Sequence, residues 1–205
     1  MNFLAHFYLA YGNDQRLLGQ FIADSVKGRH YEEYPEIVRD GIREHRLIDH
    51  LTEISEGPMA LRAFLRPHCG LLSPVAVDML MDHVLAKYWH DYHATPLAEF
   101  AAGCYKSLQT NEALIPERMK EALFYMAKYD WLNAYASKEG IIKSMSGLSR
   151  RVSGGNLLNN IVPIFEDAVN QAEKSFKDYF PELCKAIKVE ISASSEPFLG
   201  INHYY

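Results

Sequence analysis

PEIVRDGIREHRLIDHLTEISEG, residues 35–57, is the stretch that decides the fold. Pro35 stands at a helix-opening position, where its fixed φ suits the first turn and its missing N–H costs no hydrogen bond. Behind it Ile37, Val38, Ile42, Leu47, Ile48 and Leu51 recur at three- and four-residue intervals, the period of one helical face. The pattern predicts one long amphipathic helix running toward Gly57. Two polar residues interrupt its apolar side, His45 and Asp49, four apart and so on the same face.

The same period continues outward. Upstream, Asn2 is placed to cap a short helix carrying Phe3, Leu4, Phe7 and Tyr8, which Gly12 ends. After Asn13-Asp14, a second helix carries Leu17, Leu18, Phe21, Ile22 and Val26 and stops at Gly28. Downstream, Glu56-Gly57-Pro58 and Ser73-Pro74 open two more, with Leu61, Phe64 and Leu65 on the first and Val77, Leu80, Val84 and Leu85 on the second. Further starts fall at Pro96, Pro116 and Glu139. A last helix runs from about Pro163 through Phe165, Val169, Ala172, Phe176 and Tyr179, and Pro181 is expected to kink or reset it. Ser153-Gly154-Gly155-Asn156 reads as a loop. No sustained period-two alternation occurs, so no sheet is expected. The prediction is a single compact all-α domain over residues 1–190, with an extended or poorly ordered tail over 191–205.

Composition narrows the function. Of the 205 residues, 48% are hydrophobic and 23% charged, as in an ordinary soluble domain. The formal charge of −5 argues against a nucleic-acid binder acting by phosphate neutralisation. Cys69, Cys104 and Cys184 are widely spaced and fit a reducing compartment as small buried apolar residues. The first apolar run, Phe3 to Tyr11, lacks a basic flank and a cleavage site. No apolar stretch comes near the ~20 residues of a bilayer span, so the expectation is a cytoplasmic protein with no membrane partner; the oligomeric state is left open.

The candidate chemistry lies where polar residues fall on apolar faces. His6 sits among Phe3, Leu4, Phe7 and Leu9. Asp24 follows Phe21-Ile22-Ala23 near the core side of its helix. Asp78 and Asp82 repeat the four-residue spacing of His45 and Asp49, and His83 follows directly. Buried carboxylates without partners are costly, and several in one helical core can share a cation. Carboxylate oxygens with imidazole nitrogens suit Mn²⁺, Mg²⁺, Fe²⁺ or Zn²⁺, and no nearby cysteines point to a thiolate-rich structural zinc site. The alternative reading is structural: His6 as a hydrogen-bonded core histidine, and Asp24 and Asp49 as partners of Arg16, Arg43 or Arg46. No GxSxG, Walker or GxGxxG pattern occurs.

Several strings resemble one family, the acyl carrier protein phosphodiesterases. They are Met1-Asn2-Phe3-Leu4-Ala5-His6; Gly19-Gln20-Phe21-Ile22-Ala23-Asp24 with Val26-Lys27-Gly28; Gly41-Ile42-Arg43-Glu44-His45-Arg46-Leu47-Ile48-Asp49; and Asp78 through Asp82-His83, ending near Trp89. Ser149-Arg150-Arg151 fits a fifth string, and the resemblance extends to about Phe180.

The resemblance implies an all-helical fold related to the HD-domain phosphohydrolases, with Asp82-His83 reversed relative to the dipeptide that names them. It implies release of 4′-phosphopantetheine from holo-acyl carrier protein with a divalent cation, Mn²⁺ first and Mg²⁺, Fe²⁺, Co²⁺ or Zn²⁺ as alternatives. His6, Asp24, His45, Asp49, Asp82 and His83 become candidate ligands. Asp24, as ligand or base, and His45 or His83, as acids toward the leaving serine oxygen, become the catalytic candidates. Arg46, Arg150 and Arg151 are candidates for holding phosphate, and Arg39, Arg43, Arg62 and Arg66 for docking the acidic carrier protein. The competing functions are a related hydrolase of a nucleotide or other small phosphoester, and a non-catalytic helical module that binds carrier protein.

Overall fold

A computed structural model describes residues 1–10, 12–150 and 154–193. Eleven α-helices and no strand occur among them: α1 (Phe3–Leu9), α2 (Asp14–Ile22), α3 (Glu36–Ile54), α4 (Glu56–Cys69), α5 (Ser73–Lys87), α6 (Trp89–Tyr92), α7 (Leu97–Thr110), α8 (Glu117–Lys128), α9 (Trp131–Ala134), α10 (Lys138–Ser149) and α11 (Phe165–Ala193). The all-α reading holds, and α3 begins immediately after Pro35 as its spacing predicts.

Helix α5 is the axis of the molecule. Every residue from Met79 to Ala86 is buried, and α1, α4, α10 and α11 pack around it. A helix covered on all sides needs no polar face, so the polar residues it does carry, Asp82 and His83, must find partners inside the fold. Helices α2 and α3 form the closest pair. A Cβ on Gly19 would run into the backbone of Val38 and Gly41, and one on Gly41 into that of Arg16. Only paired glycines permit this approach, and it brings the His45–Asp49 face of α3 against α1 and α2.

Four local expectations are corrected. Asn2 makes no side-chain cap on α1; Asp82 takes that role, as described below. Helix α2 ends at Ile22 and yields to a 3₁₀ turn, Ala23–Ser25, so Asp24 lies on an exposed turn rather than a helix face. The final helix continues through Pro181 to Ala193, three residues past the expected tail boundary, and residues 194–205 lie outside the described residues. Before it, Gly155–Ile164 forms a run of 3₁₀ turns where a loop and a helix start at Pro163 were expected; Ser153 of that loop lies outside the described residues.

The continuous helical run Glu56–Lys87 has the length and apolar character of a bilayer span, against the expectation that no stretch does, and 67% of its most apolar window is buried inside the fold. Cys69 and Cys104 are buried and Cys184 is half-buried, all as free thiols.

Candidate metal centre

Helices α1 and α3 and the turn after α2 bring four of the predicted residues together. The rings of His6 and His45 stack with centroids 4.0 Å apart and planes 16° apart. Asp49 bridges their edges, Oδ1 lying 3.3 Å from His6 Nε2 and Oδ2 3.1 Å from His45 Nε2. Asp24 approaches His45 Nε2 at 3.4 Å. One ligand atom from each of His6, His45 and Asp49 lies within 4.8 Å of the others, close enough to share one cation. The histidines are buried, whereas the Asp49 side chain is 44% exposed and that of Asp24 77%. The group is therefore anchored in the core and open on its carboxylate side.

A second layer orients it. His6 Nδ1 lies 2.8 Å from Oε1 of the buried Gln20. With that oxygen accepting, Nδ1 carries the hydrogen and Nε2 faces Asp49 Oδ1 and the Met1 carbonyl, 3.1 Å away. A neutral imidazole nitrogen turned toward two acceptors is an arrangement that a cation relieves. The Met1 ammonium lies 2.8 Å from Asp78 Oδ1 and 3.9 Å from Asp49 Oδ1. Arg118, at the start of α8, donates to the Asp24 carbonyl at 2.9 Å.

The electrostatics pull the two histidines apart. Burial, reinforced by the charge on His45, lowers His6 to about 4. Burial also opposes charge on His45, but hydrogen bonds to Asp24 and Asp49 and their charges outweigh it and raise the imidazole to about 9. For Asp49, burial is outweighed by its bonds to the two histidines, which hold the carboxyl well below the usual range. The bond to His45 lowers Asp24 as well.

Asp82 and His83, expected among the ligands, do not join this group. Asp82 accepts from the backbone N–H groups of Asn2 at 3.2 Å, Leu4 at 2.7 Å and Ala5 at 3.3 Å, so it caps α1 from a helix nearly eighty residues away. Burial pushes its carboxyl up to about 7, against the Met1 ammonium and those N–H groups. His83 Nδ1 lies 2.6 Å from the Tyr135 carbonyl, and its ring packs against Phe165; burial lowers its pKa.

The arginines divide. Arg46 donates to the Val26 carbonyl at 2.8 Å and lies over the Tyr31 ring, fastening the segment behind Asp24 rather than standing free for a phosphate. Arg43 shares that ring and pairs with Asp40 at 3.1 Å. Arg62 faces Glu53 at 3.8 Å, Arg39 is half-buried, and Arg66 is exposed. Arg150 lies across the N-terminal segment from the histidines, on a separate cavity, and Arg151 lies outside the described residues.

Gln20 and Arg118 were not anticipated. A glutamine between Leu17 and Phe21 on an apolar face was a readable signal for the first. Nothing local marks Arg118, whose contact with Asp24 spans 94 residues.

Comparison with known proteins agrees with the resemblance. A family model described as acyl carrier protein phosphodiesterase matches residues 1–183. A protein of that name from Pectobacterium atrosepticum is 31% identical over 93% of this chain and 99% of its own length. Proteins of the same name from Serratia proteamaculans and Klebsiella pneumoniae are 30% and 28% identical, over 92% and 90% of this chain and 98% and 96% of theirs. No solved structure matches. With the match running from α1 into α11 and taking in every residue of the histidine–carboxylate group, the chain belongs to the acyl carrier protein phosphodiesterase family.

Proposed function

We propose that this chain hydrolyses the phosphodiester joining 4′-phosphopantetheine to a serine of holo-acyl carrier protein, releasing apo-protein, and that it does so with a divalent cation. The observation that carries the reading is the meeting of His6, His45 and Asp49 within 4.8 Å, with Asp24 at the open edge. Two imidazoles and a carboxylate fit Mn²⁺, Fe²⁺, Co²⁺ or Zn²⁺, and Mg²⁺ less well because it prefers an all-oxygen shell.

When bound, such an ion neutralises phosphate oxygens and supplies a water of lowered pKa. His6, His45 and Asp49 would hold it. Gln20 keeps His6 in the tautomer that offers Nε2, and Asp49 aligns both rings. Asp24, ionised at neutral pH and exposed, orients the attacking water and accepts its hydrogen bond. Arg118 and Arg46 hold the turn that carries it. His83 is committed to the Tyr135 carbonyl and takes no part at the phosphate. An acidic carrier protein is received by exposed arginines, Arg66 foremost.

The test is mass spectrometry of holo-acyl carrier protein incubated with the chain and Mn²⁺, beside a chelator control. Metal-dependent loss of the phosphopantetheine mass is expected. Full turnover with chelator present would remove the cation from the reading. Cleavage of small phosphodiesters but not of the carrier protein would move the substrate to a small phosphoester. Binding without any cleavage would make the chain a recognition module.

A further inference from the structure

The Met1–Asn2–Phe3 segment and the Asp78–Met79 step of α5 separate two cavities. The first, about 270 Å³, has Asp49, Glu53 and Asp78 in its wall and belongs to the histidine–carboxylate group. The second, about 600 Å³, opens on the other side of the same segment, and its size is that of a small-molecule site. Phe3, Met79, Trp131 and Tyr135 form its walls, and Ser144 and Gly147 of α10 its floor. No carboxylate lines it among the described residues. Lys143 and Arg150 stand at its edge, both exposed and with no ion-pair partner among the described residues.

Helix α8 connects the two places. At its start Arg118 holds the Asp24 carbonyl; just past its end Tyr129 lines the second cavity. Arg118 and Tyr129 are eleven residues apart, about 16 Å along α8 at the helical rise of about 1.5 Å per residue. A pantetheine arm has about thirteen chain bonds between phosphorus and sulfur, which extend to about 15 Å at roughly 3.5 Å per three bonds.

We propose that the cavity lined by Phe3, Met79, Trp131, Tyr135 and Gly147 receives the thiol end of the pantetheine arm while its phosphate lies at the histidine–carboxylate group. This rests on the hydrolytic reading above. The chemistry matches part by part. The methylenes and sulfur of the arm lie against aromatic and methionine surface, and its amide carbonyls accept from Lys143 and Arg150 at the mouth.

Gly147 supplies the test, because a Cβ built there meets nothing within 4 Å and leucine is a better helix former than glycine. Gly147→Leu therefore fills the cavity without threatening the helix. The chain has two tryptophans, Trp89 buried elsewhere and Trp131 in this wall, so tryptophan fluorescence reads occupancy directly. Titration of the full chain with free pantetheine, which lacks the phosphate, is expected to give a saturable change. Gly147→Leu should weaken it at least tenfold and raise KM for holo-carrier protein about as much. Gly103→Leu, at an equally open glycine outside this cavity, should leave the titration as it was. No saturable change, equal affinity in Gly147→Leu, or an equal response to a simple alkyl sulfate would overturn the assignment. If pantetheine binds as expected and holo-carrier protein is not cleaved, the cavity assignment stands and the hydrolytic reading falls.

Discussion

The molecule contains two histidine–aspartate pairs, one on α3 and one on α5, and it uses them in opposite ways. On α3, His45 and Asp49 stand four residues apart and turn their polar atoms toward each other, toward His6 and toward solvent. On α5, Asp82 and His83 are adjacent, point in different directions, and are both bound to backbone: Asp82 to the start of α1, His83 to the Tyr135 carbonyl. The residue types are the same. What differs is whether the backbone has already claimed the polar atoms, and only the α3 pair is left facing other side chains and solvent.

The largest effects should come from the α3 side. His45→Ala and Asp49→Asn are each expected to lower turnover of holo-carrier protein by roughly 10²–10⁴-fold, the range for losing a positioned polar group in catalysis, with circular dichroism unchanged. Asp24→Asn belongs to the same class. An equal loss in Asp82→Asn, in protein that is folded and still binds metal, would erase the distinction between the pairs.

The α5 side should fail in stability instead. Asp82→Ala leaves the N–H groups of Leu4 and Ala5 buried without their acceptor, at about 1–3 kcal/mol for each group. Denaturant unfolding should show a loss of roughly 3 kcal/mol, with Asp82→Asn milder because one carbonyl oxygen remains. A fully stable Asp82→Ala would mean that α1 does not depend on this cap.

The histidine pair also shapes the pH dependence of the metal-free chain. His45 is raised from 6.5 to about 9, so its contribution is complete below pH 6.5 and is lost as pH rises through about 9. His6 is lowered from 6.5 to about 4, so its contribution is complete above pH 6.5 and is lost as pH falls through about 4. The alkaline flank set by His45 should amount to at most about 3 kcal/mol at 1.36 kcal/mol per pKa unit, while on the acid side the raised carboxyl of Asp82 loses stability as pH climbs toward 7 and opposes the His6 flank. Thermal melts in chelator from pH 4 to 9 read this, and His45→Gln should flatten the alkaline flank and, by removing its charge from beside His6, lessen the lowering of His6. An unchanged alkaline flank in that variant would detach the profile from His45.

How much of this was legible follows the range of the interactions. Pro35, Pro96 and Pro116 each immediately precede a helix, because a first turn is local. His45 and Asp49 were legible for the same reason: four residues on a helix is one face. Asp82 drew notice as a buried acid, but its partners are the N–H groups of α1, 77 to 80 residues away, and no local pattern encodes them. Asp24 was placed on a helix face because the apolar period of α2 continues to Val26, whereas the chain leaves the helix at Ile22. Pro181 does not reset the helix, which continues to Ala193 with its apolar face packed on α4 and α5.

The smallest expected effect concerns the arginines, where the same contrast between committed and available groups recurs on the surface. Arg43 is already paired with Asp40 and laid over Tyr31, whereas Arg66 is exposed with no ion-pair partner among the described residues. An acidic carrier protein gains a new contact only from the second. Arg66→Ser should raise KM about threefold, consistent with about 0.2–1 kcal/mol for an exposed pair, and Arg43→Ser should change it less. The Arg66 effect should vanish at high ionic strength, where charges separated by more than a few ångströms are screened, while the Asp24→Asn defect should be indifferent to salt. A larger effect from Arg43 than from Arg66 would place the docking face along α3 and make its pairing with Asp40 a contact exchanged on binding.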